Sequence, residues 1–183
     1  MERLVNETEA GALGPVYSEI RLSLGVATVP LIFQAMAGIG ADVLLQNWTA
    51  YRRTFLSGRL PRLTKEWIGL ALGVHLGSPY LTRWHALHLQ ALGAPLPEVR
   101  AVTSSGALTQ VPDGMRPYVE QALLIERTDG AAYRTAEEAF GEEVGSELVD
   151  LVLMVRALGR FATEAGLAPE SIAYLFATGG TEA

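Results

Sequence analysis

The sequence predicts an all-α protein, and three observations carry that prediction. Apolar residues recur at three- and four-residue spacing, as at Val43, Leu44, Trp48, Tyr51 and Phe55 and again at Leu148, Leu151, Val152, Val155 and Leu158; this is the stripe that one face of a helix turns to a core. No segment alternates strictly between apolar and polar residues with hairpin turns at its ends, the mark of a half-buried strand. Glycine, proline and hydroxyl residues stand where such helices would start and stop. With 183 residues, 49% hydrophobic and 19% charged, the chain can bury a core without covalent staples and is too apolar to be disordered. One helical domain over 1–183 is expected, with 1–14 loosely held.

Taken in order, Val16, Ile20 and Leu24 form a short helical stripe. Pro30 opens a helix to Ala37 that Gly38 ends, and 42–56 is a third helix, stopped by Gly58. The stretch 63–93 is the centre of the chain. It holds all three histidines, His75, His85 and His88, and two of the three tryptophans. It reads as an antiparallel helix pair, about 64–76 and 79–92, joined by a tight turn. Thr64 is expected to N-cap the first helix with Glu66 in its electropositive first turn, and Leu63 and Ile68 to form a hydrophobic staple. Gly77 suits the left-handed residue that ends a helix, Ser78 then Pro79 reads as N-cap and first helical residue, and Gly93 with Pro95 ends the second helix. Gly69, Gly73 and Gly77 recur every four residues on one face. Each costs about 1 kcal/mol against alanine inside a helix, so close approach of another backbone is the expected compensation.

Beyond the pair, Pro97 starts a short helix to Thr103, broken by Ser104, Ser105 and Gly106. Asp113 is expected to cap a helix to Arg127 with Tyr118, Leu123, Leu124 and Ile125 toward the core. A turn at Thr128, Asp129 and Gly130 follows. Thr135 with Glu138 reads as a capping box for a helix ending at Phe140. The long helix 144–165 ends at Gly166, Pro169 opens a last helix to Ala177, and 178–183 is a polar tail.

Composition removes several function classes. A net charge of −6 argues against a nucleic-acid partner, since binding phosphates needs a basic surface. The local run of Arg52, Arg53, Arg59 and Arg62 reads as a solvated face or an interface, with an anion site as the alternative. The absence of cysteine excludes disulfides, zinc–thiolate sites and thiol catalysis. No basic segment leads into an apolar one at the N-terminus, and apolar runs such as 67–76 are too short to span a bilayer. The expectation is a cytoplasmic protein with no membrane partner.

The residues with chemistry gather in the helix pair. Glu66 precedes Ser78 by twelve positions, Leu81 follows Ser78 by three, and His85 follows Leu81 by four. The frame Glu-x11-Ser-x2-Leu-x3-His resembles the Glu-x11-Cys-x2-Cys-x3-His signature of alkylhydroperoxidase D-like proteins, within the wider carboxymuconolactone decarboxylase-like family. Tyr80 stands where relatives often carry a tyrosine before the second cysteine. The lead-in Gly-Arg-Leu-Pro-Arg-Leu-Thr-Lys-Glu and the helix Leu-Val-Leu-Met-Val-Arg-Ala-Leu-Gly-Arg-Phe-Ala-Thr-Glu-Ala-Gly resemble the peroxidase-related branch. There Arg160 matches an arginine usually preceded by asparagine, a place Gly159 takes here. The resemblance covers about residues 28–166. It implies an all-α fold with related helix pairs, echoed here at 64–92 and 135–166, and a homo-oligomer.

What the resemblance implies for activity is limited by the two substitutions. Peroxide reduction needs a thiolate that is oxidised to a sulfenic acid and resolved by a second thiol; Ser78 and Leu81 provide neither. Glu66 and His85 remain as candidates for proton transfer on a small organic substrate, in the manner of the decarboxylase relatives, with Tyr80 and His88 as candidate substrate-binding residues. The alternative is a non-catalytic protein, binding a small molecule or serving assembly. Ser78, His85 and Glu66 have the residue types of a hydrolytic triad, but no nucleophile-elbow glycines surround Ser78. Glu66, His85 and His88 have metal-ligand types, yet histidines three apart are common by chance; no metal and no cofactor are expected.

Overall fold

The computed structural model describes residues 4–128 and 131–171. Its helices are α1 (Gly14–Leu24), α2 (Leu31–Ile39), α3 (Ala41–Tyr51), α4 (Arg62–His75), α5 (Pro79–Ala91), α6 (Leu96–Ser105), α7 (Arg116–Arg127), α8 (Ala131–Phe140) and α9 (Glu142–Glu164). Two short 3-10 turns precede α1, a third (Leu108–Gln110) and a π-helical turn (Arg52–Leu56) lie between helices, and no strand occurs among the described residues. The all-α expectation holds.

α4 is the axis of the core. Every residue from Thr64 to Gly73 is buried, and α5, α6, α7 and α9 all pack on it. A helix surrounded on all sides needs somewhere for its neighbours to come close, and the glycines supply it. A Cβ on Gly69 would lie 2.4–2.6 Å from the His85 ring, and one on Gly73 would lie 2.9 Å from the Thr82 backbone nitrogen. The close approach expected of the glycine stripe therefore lies within the chain, between α4 and α5. Gly77 acts through its backbone instead. At φ +61° it takes the left-handed conformation that ends α4. Ser78 then N-caps α5, its Oγ accepting from the Leu81 amide, and Pro79 occupies the first turn, as the Ser-Pro pair implies.

Several elements differ from expectation. α4 starts at Arg62, behind Pro61, and has no side-chain cap. Thr64 is not its N-cap, and Glu66 lies beyond the first turn, wholly buried. α2 runs through Gly38 to Ile39, and the 42–56 helix changes to π geometry after Tyr51. α7 starts at Arg116; Asp113 pairs with Arg116 instead of capping, and Leu124 is exposed while Val119 and Ala122 are buried. Thr135 lies inside α8, its hydroxyl donating to the Ala132 carbonyl, so it forms no capping box. The apolar stripe of α9 is buried as predicted. Residues Pro169 to Ser171 are not helical; the remainder of the expected last helix, the tail, and Asp129–Gly130 of the expected turn lie outside the described residues.

Within 4–14, the stretch expected to be loosely held, Val5 and Glu7 bond to the rest of the chain. The Tyr17 hydroxyl donates to the Val5 carbonyl at 2.6 Å, the Val29 amide donates to Glu7 at 2.8 Å, and Arg21 pairs with Glu7. No described helix is long and apolar enough to cross a membrane.

Candidate functional site

The register of two helices builds the site. On α4 Glu66 faces α5, and on α5 Leu81, His85 and His88 share one face, at i, i+4 and i+7. Glu66 and His85 meet there: His85 Nδ1 and Glu66 Oε2 are 2.8 Å apart. Both side chains have no solvent exposure. Arg62 Nε stands 3.5 Å from the other carboxylate oxygen, within ion-pair reach but too long for a good hydrogen bond. Arg62 thus leaves the solvated face that its basic run suggested.

The electrostatics favour an ionised Glu66. Burial pushes its carboxyl up, but the imidazoles of His88 and His85, the His85 hydrogen bond and the Arg62 charge outweigh burial and hold it below its ordinary value. A carboxylate only accepts hydrogen bonds, so His85 donates through Nδ1–H. His85 Nε2 has no hydrogen-bond partner among the described residues. His88 Nδ1 is bonded to the Trp84 carbonyl oxygen at 3.0 Å, and burial lowers its pKa, only partly opposed by Glu66. Tyr51 is pushed up by burial and then by the Glu66 charge, and stays neutral.

An aromatic stack closes the pair from above. Tyr51 stacks on Phe55 with ring centres 4.7 Å apart, and Phe55 stacks on His85 at 5.4 Å. The π turn at Arg52–Leu56 carries Phe55 into this position, and Lys65 fixes the turn. Its buried Nζ donates to the Thr54 carbonyl at 2.7 Å, to the Ser57 carbonyl, and pairs with Glu147 at 2.5 Å.

The two substituted positions lie close by with different environments. Leu81 is buried against Ile32, Phe33, Tyr51, Trp84 and Leu158, around a void of only about 10 Å³. Its isobutyl group reaches α9, where a Cβ on Gly159 would lie 3.0 Å from Leu81 Cδ1. The glycine in the place of the usual asparagine thus makes room for the leucine in the place of a cysteine. Ser78 is 3% exposed, yet it lines two clefts: an open one of about 950 Å³ between α5 and α6, and one of about 300 Å³ beside α9 with Arg156 and Arg160. Glu66 and His85 line neither.

Tyr80 and His88, expected as substrate-binding residues, are both buried. Tyr80 lines the small void, and its hydroxyl donates to Glu170 Oε1 at 2.7 Å and accepts from the Ile32 amide at 3.2 Å. No group of three or more potential metal ligands occurs among the described residues. Sequence reasoning misses Phe55, Arg62 and Glu170. Phe55 reads in the sequence only as part of a helical stripe, and Glu170 meets its partners across 90 and 139 residues, a separation no local pattern encodes.

No family model matches the chain. It is 30% identical over 160 residues to an alkyl hydroperoxide reductase of Mycobacterium tuberculosis, which covers 87% of this chain and 44% of that protein; the chain spans less than half the length of this relative. Its fold is similar to that of a peroxidase-related protein with an alkylhydroperoxidase AhpD core from Ralstonia eutropha JMP134 (TM-score 0.75, 17% identity, covering 93% of this chain and 92% of that one). It is similar also to a peroxidase-related protein from Silicibacter sp. TM1040 (0.75, 15%, covering 90% and 87%). The debrominase Bmp8 in complex with 2,3,4-tribromopyrrole gives a TM-score of 0.73 at 17% identity, covering 94% of each chain. The chain thus has the fold of alkylhydroperoxidase D-like proteins, is similar over most of its length to part of an alkyl hydroperoxide reductase, and contains no cysteine.

Proposed function

We propose that this protein is a ligand-binding member of the alkylhydroperoxidase D-like family that does no thiol chemistry. A small organic molecule would occupy the cleft between α5 and α6, and the Glu66–His85 pair would fasten α4 to α5. The observation that carries this reading is the separation of reactive residue types from open space. The acid and the imidazole are in contact but have no solvent exposure, while Ser78, at the position of the family's first cysteine, still lines a cleft of about 950 Å³. A volume near 1,000 Å³ is at the upper end for a small-molecule site. A group that transfers a proton to substrate must come within hydrogen-bond reach of it, directly or through one water, and the packing around Glu66 and His85 leaves no such approach.

Two measurements test this. Hydrogen peroxide and an organic hydroperoxide, supplied with a dithiol reductant, are expected to be consumed at the buffer rate; turnover lost on Ser78→Ala would overturn the proposal. A thermal-shift screen of small organic molecules is expected to give ligands that raise the melting temperature, as binding to the folded state alone must. The proton-transfer reading has the 2.8 Å Glu66–His85 contact in its favour. It would replace binding alone if such a ligand were converted to product by the wild type and not by a folded Glu66→Gln variant.

A further inference from the structure

The α5–α6 cleft has a chemistry of its own, and this inference rests on the reading that the cleft binds a ligand. Among the described residues its lining includes Arg83 from α5 and Arg100 from α6, and no aspartate or glutamate. That is a local reversal in a chain whose net charge is −6, with 20 acidic residues against 14 basic ones. Neither arginine has a carboxylate partner among the described residues; Arg83 donates through Nε to the Glu170 backbone carbonyl at 3.3 Å, which holds the guanidinium by one edge. Seven other arginines do have carboxylate partners: Arg21 with Glu7, Arg52 with Glu19, Arg59 with Glu143, Arg62 with Glu66, Arg116 with Asp113, Arg156 with Glu126 and Arg160 with Glu164.

The remaining walls are largely apolar. Val74, Ala86 and Val99 form the floor where α4, α5 and α6 meet, and Leu96, an exposed large hydrophobic residue, stands on the rim. An apolar floor beside two uncompensated guanidinium groups matches one kind of molecule, a body of hydrocarbon bearing an anionic head. The planar fork of an arginine fits a carboxylate through two parallel hydrogen bonds. Two cations facing one cleft also raise the local concentration of anions in low salt.

We propose that the α5–α6 cleft is a binding site for an amphiphilic carboxylate, with Arg83 and Arg100 gripping the head group and Val74, Ala86 and Val99 taking the apolar body. The head is recognised by charge and the body by burial, so the two contributions separate in experiment.

The test uses the full chain, with sodium decanoate below its micelle concentration and 1-decanol as the probe that keeps the body and removes the charge. Isothermal calorimetry is expected to show decanoate binding at least tenfold more tightly than decanol, with the difference shrinking as salt rises. Arg100→Gln and Arg83→Gln are each expected to weaken decanoate at least fivefold and to leave decanol unchanged. Arg100 is exposed, so its variant keeps the fold and the test stands even if Arg83→Gln loosens the Glu170 contact. Thr103→Trp, on the exposed wall of the cleft, is expected to abolish binding of both. Equal binding of decanoate and decanol, unaffected by either arginine variant, would overturn the carboxylate assignment and leave the binding role of the cleft intact. Tighter binding of decyl phosphate than of decanoate by tenfold or more would overturn the choice of head group. Failure of both decyl probes to bind, or binding that survives Thr103→Trp, would overturn the site itself.

Discussion

At the scale of single residues, glycines make room for two side chains of the Glu66–Ser78–Leu81–His85 frame. Leu81 fills the space between α5 and α9 because Gly159 has no side chain to obstruct it, and His85 keeps its place because Gly69 has none either. The second glycine makes a direct prediction. Gly69→Ala would put a Cβ within 2.4–2.6 Å of a ring that is wholly buried and stacked on Phe55. Alanine gains about 1 kcal/mol of helix propensity, but overpacking of a rigid core costs typically 1–3 kcal/mol. The imidazole cannot swing away without losing Glu66. The expected outcome is a net loss of stability, on the order of 1–2 kcal/mol by urea denaturation. Gly14→Ala, with nothing within 4 Å, is the control and should stay within about 0.5 kcal/mol of wild type. An equal or higher stability for Gly69→Ala would mean that the ring is not held where the structure puts it.

At the scale of elements, the turn at Arg52–Leu56 sets the roof over His85. A π turn leaves backbone carbonyls without the usual helical partners. Here the ammonium of Lys65 takes two carbonyls, Thr54 and Ser57, while Glu147 from α9 balances its charge and also accepts from the Arg59 and Leu60 amides. Gly58, at φ +104°, lets the Glu147 carboxylate come in against the backbone. Lys65→Met keeps the length of the side chain and removes the donor. It leaves the buried Thr54 carbonyl without its donor and the partly buried Glu147 carboxylate with only the Arg59 and Leu60 amides, and leaving a buried polar group unsatisfied costs about 1–3 kcal/mol. The expected result is a loss in that range, with a change in near-ultraviolet circular dichroism as Phe55 and Tyr51 shift. A neutral effect on both would show that the turn holds itself.

The ends of the helix pair are legible in the sequence because their causes are local: Gly77 must take a positive φ, Ser78 and Pro79 start a helix by their own chemistry, and Gly93 ends one at φ +83°. The start of α4 is not, because Thr64 and Pro61 are both start signals, three residues apart, and the proline prevails. That shift moves Glu66 from a surface position at a helix end to the interior. The frame of Glu66, Ser78, Leu81 and His85 can be read from spacing. Its burial cannot, since the roof comes from Phe55 and Tyr51, on elements whose approach depends on the whole core.

At the scale of the whole molecule, the chain is closed by one carboxyl group near its C-terminal end. Glu170 Oε1 accepts from the Leu31 amide at the N-terminus of α2 and from the Tyr80 hydroxyl on α5, whose oxygen in turn accepts from the Ile32 amide. The neighbouring charged group is Arg83, whose guanidinium reaches the Glu170 backbone carbonyl and not its carboxyl. Burial dominates and raises the Glu170 carboxyl to about 7, although both hydrogen bonds oppose it. A carboxyl that holds its proton more tightly folded than unfolded favours the folded state most at low pH. That contribution is lost as pH rises from about 4.5 to about 7. Glu66 and His88 act in the opposite sense. Both have folded pKa values below the ordinary ones, so stability falls as acid protonates the Glu66 carboxylate or charges the buried imidazole.

Wild-type stability is therefore a sum of opposed slopes, and comparison with a variant isolates one of them. Glu170→Gln keeps an acceptor for Leu31 and Tyr80 and cannot ionise. Its stability relative to wild type, measured by urea denaturation, is expected to increase by on the order of 3 kcal/mol between pH 4.5 and pH 8, with most of the change between pH 5 and 7. A difference between variant and wild type that stays flat across this range would show that Glu170 titrates as an ordinary surface carboxylate. The strap from α9 to the N-terminus of α2 would then have to be held by its other contacts, of which the Arg83–Glu170 backbone bond is the first to remove.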